Sequence, residues 1–328
     1  MSSEGNLKTY RGNCHCGAFV YEAKLPEITS YTECNCSICH KKGYAYLVPE
    51  GGQIDVVKGS IDELATYAFN TGGFVHRFCP NCGTAVLAQN KTKTVINARA
   101  LQDIDFWSLE AKPFDGKAIG PAYEPVAYKG PEPAVNEGGK IYHGSCHCGA
   151  VTLAVKVDKP LEDRDITVDE ERIVECNCSI CMRGAYIWIY PFKEDTVIEG
   201  SEHLAYRSFR KNIVRKAFCK HCGVHVCNEP NPLTGEQSNR PHFPPARPSQ
   251  FVNSTIPLAF FLCGFALTSD RPLDAEIEAL DDATKGFRER SKIMRPITLR
   301  VLDDFDFKTV KTNRLDGWSI MKPLYVNP

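Results

Sequence analysis

At 328 residues and 43% hydrophobic, the chain is long enough for two domains with packed cores. Its 39 basic and 40 acidic residues leave a net charge of −1, which excludes a bulk electrostatic pull toward nucleic acid or acidic membranes. No stretch reaches the ~18 consecutive apolar residues of a membrane span, and the polar residues 1–10 lack the apolar run of a signal peptide, so a reducing, cytoplasmic compartment is expected.

In chain order, residues 11–17 hold Cys14-His15-Cys16 in a glycine-flanked turn, and the alternating run 18–24, with Phe19, Val20 and Tyr21, predicts a strand ended by Pro26. Cys34-Asn35-Cys36-Ser37-Ile38-Cys39 follows, with three thiols in six residues. Further strands are expected at 44–48, 54–57, 65–69, 74–78 and 94–98, a turn at Gly51-Gly52, and a short helix or helical turn within 101–109. Phe78-Cys79-Pro80-Asn81-Cys82-Gly83 reads as a knuckle, a C-x-x-C closed by glycine. The proline- and glycine-rich segment 113–139 reads as coil and linker.

The pattern then restarts. Cys146-His147-Cys148 repeats the first pair at an offset of 132, Cys176-Asn177-Cys178-Ser179-Ile180-Cys181 repeats the central cluster at 142, and the knuckle returns at Cys219 and Cys222, offset 140. Arg300, Leu302, Asp304, Asp306, Phe307 and Gly317 match Arg99, Leu101, Asp103, Asp105, Phe106 and Gly116 at 201. Met182-Arg183-Gly184 stands where the first copy has His40-Lys41-Lys42-Gly43, and reads as one residue shorter before the glycine. A mainly β fold is expected, with two tandem zinc-binding modules at 8–125 and 140–328, joined by a linker at 126–139. The second module carries a loop and helix insertion at roughly 228–296. Within it, 231–249 reads as loop, 256–267 is apolar, and 273–293 has helical spacing with Ile277, Leu280, Ala283 and Phe287 on one side. Either surface decoration or a lid over a substrate pocket fits this segment.

The chain has 16 cysteines, and their C-x-C and C-x-x-C spacing favours a shared metal ion over disulfides. Seven per module divide as four plus three. Cys14, Cys16, Cys79 and Cys82, and likewise Cys146, Cys148, Cys219 and Cys222, can each close a four-thiolate structural site. Cys34, Cys36 and Cys39, and Cys176, Cys178 and Cys181, are left as trios. Three ligands with an open fourth position are the pattern of a catalytic metal. The alternative is a site closed by another residue, with His76 the candidate, although Lys216 holds the matching position in the second copy. His15 and His147 read as turn or outer-sphere residues, and Cys227 and Cys263 as buried thiols. His221 and His225 flank the second knuckle with no counterpart in the first, and Asp103, Asp105, Asp304 and Asp306 read as caps. Lys41, Lys42 and Arg183 could pair with substrate carboxylates or be solvated charges.

These C-x-C, C-x-C-x-x-C and F-C-x-x-C-G blocks, each present twice, resemble the glutathione-dependent formaldehyde-activating enzymes, whose relatives include centromere protein V. The resemblance implies a β-rich fold with one structural and one catalytic zinc per module, four Zn2+ per chain, the catalytic pair held by the two trios. It also implies joining of the glutathione thiol to formaldehyde, formally a carbon–sulfur lyase reaction; the altered 182–184 segment and the insertion fit a larger aldehyde-type electrophile or a glutathione conjugate equally well. A non-catalytic, zinc-stabilised binding module is the alternative.

Overall fold

The computed structural model describes residues 6–70, 73–208, 213–231, 282–321 and 324–328. The first half contains strands β1 (Lys8–Asn13), β2 (Val20–Leu25), β3 (Ser30–Cys34), β4 (Tyr46–Leu47), β5 (Asp55–Lys58), β6 (Ala65–Tyr67), β7 (Val75–Phe78), β8 (Ala85–Gln89), β9 (Thr94–Asn97) and β10 (Glu110–Phe114), with helix α1 (Ser37–Lys42) between β3 and β4. The second half repeats the series as β11 (Lys140–Ser145), β12 (Thr152–Val157), β13 (Val174–Cys176), β14 (Ile187–Ile189), β15 (Thr196–Glu199), β16 (Leu204–Ser208), β17 (Val214–Cys219), β18 (His225–Pro230), β19 (Ile297–Thr298) and β20 (Asn313–Leu315). Its helices are α2 (Ser179–Gly184), α3 (Asp282–Ile293) and α4 (Gly317–Ile320).

Among the described residues each half is a three-stranded sheet beside a seven-stranded one, ordered β1-β2-β5 with β10-β3-β4-β9-β8-β7-β6, and β11-β12-β15 with β20-β13-β14-β19-β18-β17-β16. The protein is mainly β, built from two similar modules. Alternation explains the strands: β2 buries Tyr21, Ala23 and Leu25, while Glu22 is half-buried and Lys24 exposed between them. Opposite Tyr21 the register places Gly12, where any Cβ would overlap the tyrosine ring.

The coil expected at 113–139 starts two residues later than its prolines and glycines suggested, because Pro113 and Phe114 end a strand. β10 pairs in parallel with β3 along Glu110–Phe114. Pro113 is tolerated because β10 is the sheet's edge and needs no donor on its outer side. The expected helical turn in 101–109 is a 3-10 turn at Phe106–Ser108, with Asp105 capping Trp107 N–H as Asp306 caps Lys308 N–H in the second half. Of the helical spacing expected at 273–293, the structure describes α3, on which Phe287 is exposed. The expectations for Ile277, Leu280, Cys263 and the runs 232–249 and 256–267 lie outside the described residues.

The halves interlock. Ile38, Cys39 and Tyr44 of the first half pack in one buried cluster with Leu153, Val224, Val301 and other core residues of the second. Fully burying one side chain such as Ile38 contributes about 2 kcal/mol. Lys41, Lys42 and Arg183, read from sequence as solvated or substrate-facing, do neither. Lys41 Nζ reaches across to donate to Ser145 O (2.8 Å), Val301 O (3.1 Å) and the Asp303 carboxylate (2.6 Å). Arg183 makes the matching reach, donating to Asn13 O (3.1 Å) and Asn13 Oδ1 (2.9 Å). Lys42 Nζ donates to Cys222 O at 3.0 Å and lies over the Phe78 ring, and burial lowers its pKa to about 8. The second helix is also not shortened: Ala185 takes the left-handed C-cap at φ 51° that Gly43 takes at φ 59°, so the 142-residue offset runs through both helices.

Lys41→Met removes a buried ammonium and leaves Asp303 and two carbonyls without their donor, at a cost of about 3 kcal/mol or more. The thermal midpoint should fall by at least roughly 5 °C, and Lys41→Arg, which copies the Arg183 solution, should recover most of the loss. A Lys41→Met protein that melts with the wild type in a calorimetric scan refutes the interlock.

Candidate metal centres and the pocket between the halves

The structure brings the cysteines together in the groups that their spacing suggested. The ligand atoms of Cys14, Cys16, Cys79 and Cys82 lie within 4.8 Å of one another, as do those of Cys146, Cys148, Cys219 and Cys222. Sulfur–sulfur separations of 3.5 Å for Cys14–Cys16 and Cys16–Cys79, and of 3.5 and 3.6 Å for Cys146–Cys148 and Cys148–Cys219, are too long for disulfides. They approach the ~3.8 Å edge of a tetrahedron with ~2.3 Å metal–sulfur bonds. The described cysteines are all free. Phe19 N–H donates to Cys14 Sγ (3.3 Å) and Val151 N–H to Cys146 Sγ (3.2 Å), fixing one sulfur in each group from the strand side. The donor sets fit a metal ion bound tetrahedrally.

The two trios, Cys34 with Cys36 and Cys39, and Cys176 with Cys178 and Cys181, also converge within that limit. Local structure explains this. Cys34 ends β3, Cys36 is the N-cap of α1, and Cys39 lies in its first turn, so a strand-to-helix corner points three thiols at one spot. No further His, Cys, Asp or Glu among the described residues joins either trio. His76, the expected alternative fourth ligand, instead hydrogen-bonds the Tyr46 hydroxyl through Nδ1 at 3.3 Å, and that hydroxyl lies 3.7 Å from Cys39 Sγ. Burial lowers the His76 pKa to about 3, so it is neutral. Hydrogen bonds from Cys36 and Cys39, with help from the Gly116 and Cys36 backbone N–H groups, bring Cys34 down to about 3. The trio therefore favours one thiolate even before a cation arrives.

A loop distant in sequence completes each trio. Asn35 Nδ2 donates to Asp115 Oδ1 (2.8 Å) and Asn35 Oδ1 accepts from Lys117 N–H (2.8 Å). Asn177 clamps Asp316 (2.9 Å) and Trp318 N–H (2.9 Å) in the same way. The clamp lays Gly116 on Cys34 and Gly317 on Cys176, so close that a Cβ at 116 would overlap Cys34 Sγ and one at 317 would come 2.5 Å from Cys176 Sγ. Sequence reading matched the two glycines but gave them no role. The Asn of each C-N-C and the Asp-Gly pair at offset 201 were the available signal.

The other candidates are placed away from metal. His15 Nε2 hydrogen-bonds Ser179 Oγ (3.3 Å) and His147 Nε2 hydrogen-bonds Ser37 Oγ (2.9 Å), so each reaches the other half's trio helix as an outer contact. His225 Nδ1 pairs with the Tyr186 hydroxyl (2.8 Å), and His221 with His203 (3.1 Å). Cys227 is a buried thiol whose pKa burial raises.

A cleft open to solvent reaches Cys34 and Cys39. Its polar wall draws on both halves: Glu33, His40 and Arg99 with Arg300 and Lys308. Arg99 Nε donates to Gly43 O (3.0 Å), and Arg300 donates to Ala185 O (2.7 Å) and His40 O (3.0 Å). Burial, then the neighbouring Arg99 charge, lowers the Arg300 pKa to about 9.

The family model for glutathione-dependent formaldehyde-activating enzyme matches residues 9–113 and 141–239, more than half of the chain. A solved crystal structure of a Rhodobacter sphaeroides protein is 26% identical over 31% of this chain and 99% of its own, with a TM-score of 0.28.

Gly116→Ala and Gly317→Ala are each expected to lower bound metal by about one ion per chain and to leave the far-UV circular dichroism unchanged. Full metal content in Gly116→Ala would show that the loop does not abut the site.

Proposed function

Because the chain belongs to the glutathione-dependent formaldehyde-activating enzyme family, we propose that it is a zinc-dependent thiol-adduct enzyme joining glutathione to formaldehyde or a related aldehyde. The observation that carries this reading is that the first trio, unlike the four-thiol groups, offers three donors and opens onto a pocket. Four thiol groups support four zinc ions per chain. The first module would span 8–125 and the second 140–328.

Zinc in the first trio would supply positive charge and a vacant corner that keeps an incoming thiol ionised at neutral pH. The chain's own residues do the rest. The Asn35–Asp115 clamp holds Gly116 N–H against Cys34 Sγ, so the sulfurs do not swing into the pocket. Tyr46, held by His76, fixes Cys39. In the reaction the substrate sulfur forms a bond to the carbonyl carbon, the carbonyl pair moves to oxygen, and oxygen takes up a proton, giving the hydroxymethyl thioether. The reverse expels the thiolate and returns the aldehyde. Holding sulfur and carbonyl together in the pocket lowers the entropic part of the barrier. A reducing compartment, where these thiols stay free, suits both the site and glutathione.

The test is exchange NMR of 13C-formaldehyde with glutathione. Wild-type protein should accelerate adduct exchange, and Cys39→Ser should lose at least about tenfold of that acceleration while remaining folded. Zinc content should be four ions per chain, falling to three in Cys39→Ser. A Cys39→Ser protein as active as wild type would place the chemistry outside the first trio, and a wild type that gives no acceleration would leave only a zinc-stabilised binding module.

A further inference from the structure

The two trios have the same donors and different surroundings. Around the first stand Tyr31, Glu33, His40 and Lys308, all lining the pocket. At the matching offsets the second has Ile173, Glu175, Met182 and Trp107. Met182 Sδ lies 3.5 Å from Arg99 Nη1 and packs into the first half's core together with Trp107. The ionisable His40 and the cationic Lys308 are thus replaced by apolar bulk on the second side. Cys34 and Cys36 are half-buried, whereas Cys176, Cys178 and Cys181 are 4%, 2% and 7% exposed, with Met321 and Leu315 packed on their cluster.

The inner partners differ too. Cys39 faces the Tyr46 hydroxyl, which can donate or accept, but Cys181 receives the Trp188 ring N–H (3.5 Å), a donor only. Lys216, 4.1 Å above the Trp188 ring, stands where His76 stands in the first half. The Tyr186 hydroxyl is tied to His225, while Ala85 at the matching place leaves the buried Tyr44 hydroxyl without a partner. The second trio's neighbours thus stabilise sulfur anions and fill space.

We propose that the chain has one substrate site, not two. A carboxylate-bearing thiol reaches only the first trio, its carboxylate gripped between Arg99 of the first half and Arg300 and Lys308 of the second. The second trio is a closed, structural centre, and the second half's part in binding is that wall. This inference rests on the reading of the first trio as a thiol site. Its chemistry follows from the wall. Two guanidiniums and an ammonium face one carboxylate, Glu33, which holds Lys308 at 2.9 Å. The two arginines spend Nε and one Nη on backbone oxygens and Met182, out of five donors each. Paired N–H groups from guanidiniums match a carboxylate's geometry, and a bound anion would relieve the repulsion between the two arginines.

The test is calorimetric titration of zinc-loaded full-length protein with glutathione, using a charge-matched pair of exposed substitutions. Lys308→Glu reverses the charge on the first pocket's wall, and Arg314→Glu reverses one on the second trio's side, 5.3 Å from the first half's Trp107 ring. One equivalent should bind per chain. Lys308→Glu should weaken binding about fivefold or more, and Arg314→Glu should leave it within about twofold. Binding of two equivalents, or equal effects from the two substitutions, overturns the single composite site. Wild-type protein that binds one equivalent without accelerating adduct exchange refutes the proposed reaction and leaves this inference standing. Protein that binds none overturns both.

Discussion

Sulfurs held within 4.8 Å of one another in a largely buried setting repel as soon as more than one ionises, and water is not there to screen them. A shared cation turns that repulsion into bonding, and in small zinc-folded domains the apparent gain is ~10–16 kcal/mol. Four such groups recur here, and the architecture is arranged around them. The C-x-C after β1 and the knuckle after β7 are far apart in sequence, so each four-thiol group ties the start of a half to its later strands. The trios ask for less, because their three sulfurs come from one strand-to-helix corner. What they need is a lid of backbone, and a glycine brought from about eighty to one hundred and forty residues away provides it without a side chain.

The helices carrying the trios are also the pieces the halves exchange. α1 sends Lys41 to the carbonyls of the second half, and α2 sends Arg183 to Asn13 of the first. A buried ammonium is stable only when its donors are all met, and three acceptors meet those of Lys41. This places the trios near the seam between the halves, and it explains why the pocket at Cys34 has Arg300 and Lys308 in its wall.

How much of this could be read in advance follows from what is local. The cysteine groups were legible because metal-ligand spacing is a property of short segments, and strands such as β2 were legible from alternation. The partners of Lys41, Lys42 and Arg183 were not, because a charge in a helix looks solvated until the opposing carbonyls are known, and those lie more than one hundred residues away. The strand at Glu110–Phe114 was hidden by proline, which is excluded from strand interiors but admitted at a sheet edge. The Gly43 and Ala185 equivalence was missed for a related reason. Left-handed backbone signals glycine, yet Ala185 adopts it at the C-cap of a tightly packed helix, so matching glycine to glycine misaligned the helix ends by one residue.

Fusion of two copies has a physical consequence that a pair of identical subunits cannot have. In a symmetric dimer any substitution in a pocket wall appears at both sites, because each surface meets its own copy. On one chain, position 40 can be histidine while 182 is methionine, and 308 can be lysine while 107 is tryptophan. One wall can therefore become polar and open while its counterpart fills and seals, without either change undoing the other. The closed side still contributes packing and cysteine groups, and through Arg300 and Lys308 it shapes the open one. The common scaffold is retained in both halves because each trio helix is buried against the opposite half. Loss of either helix would expose a core rather than merely empty a site.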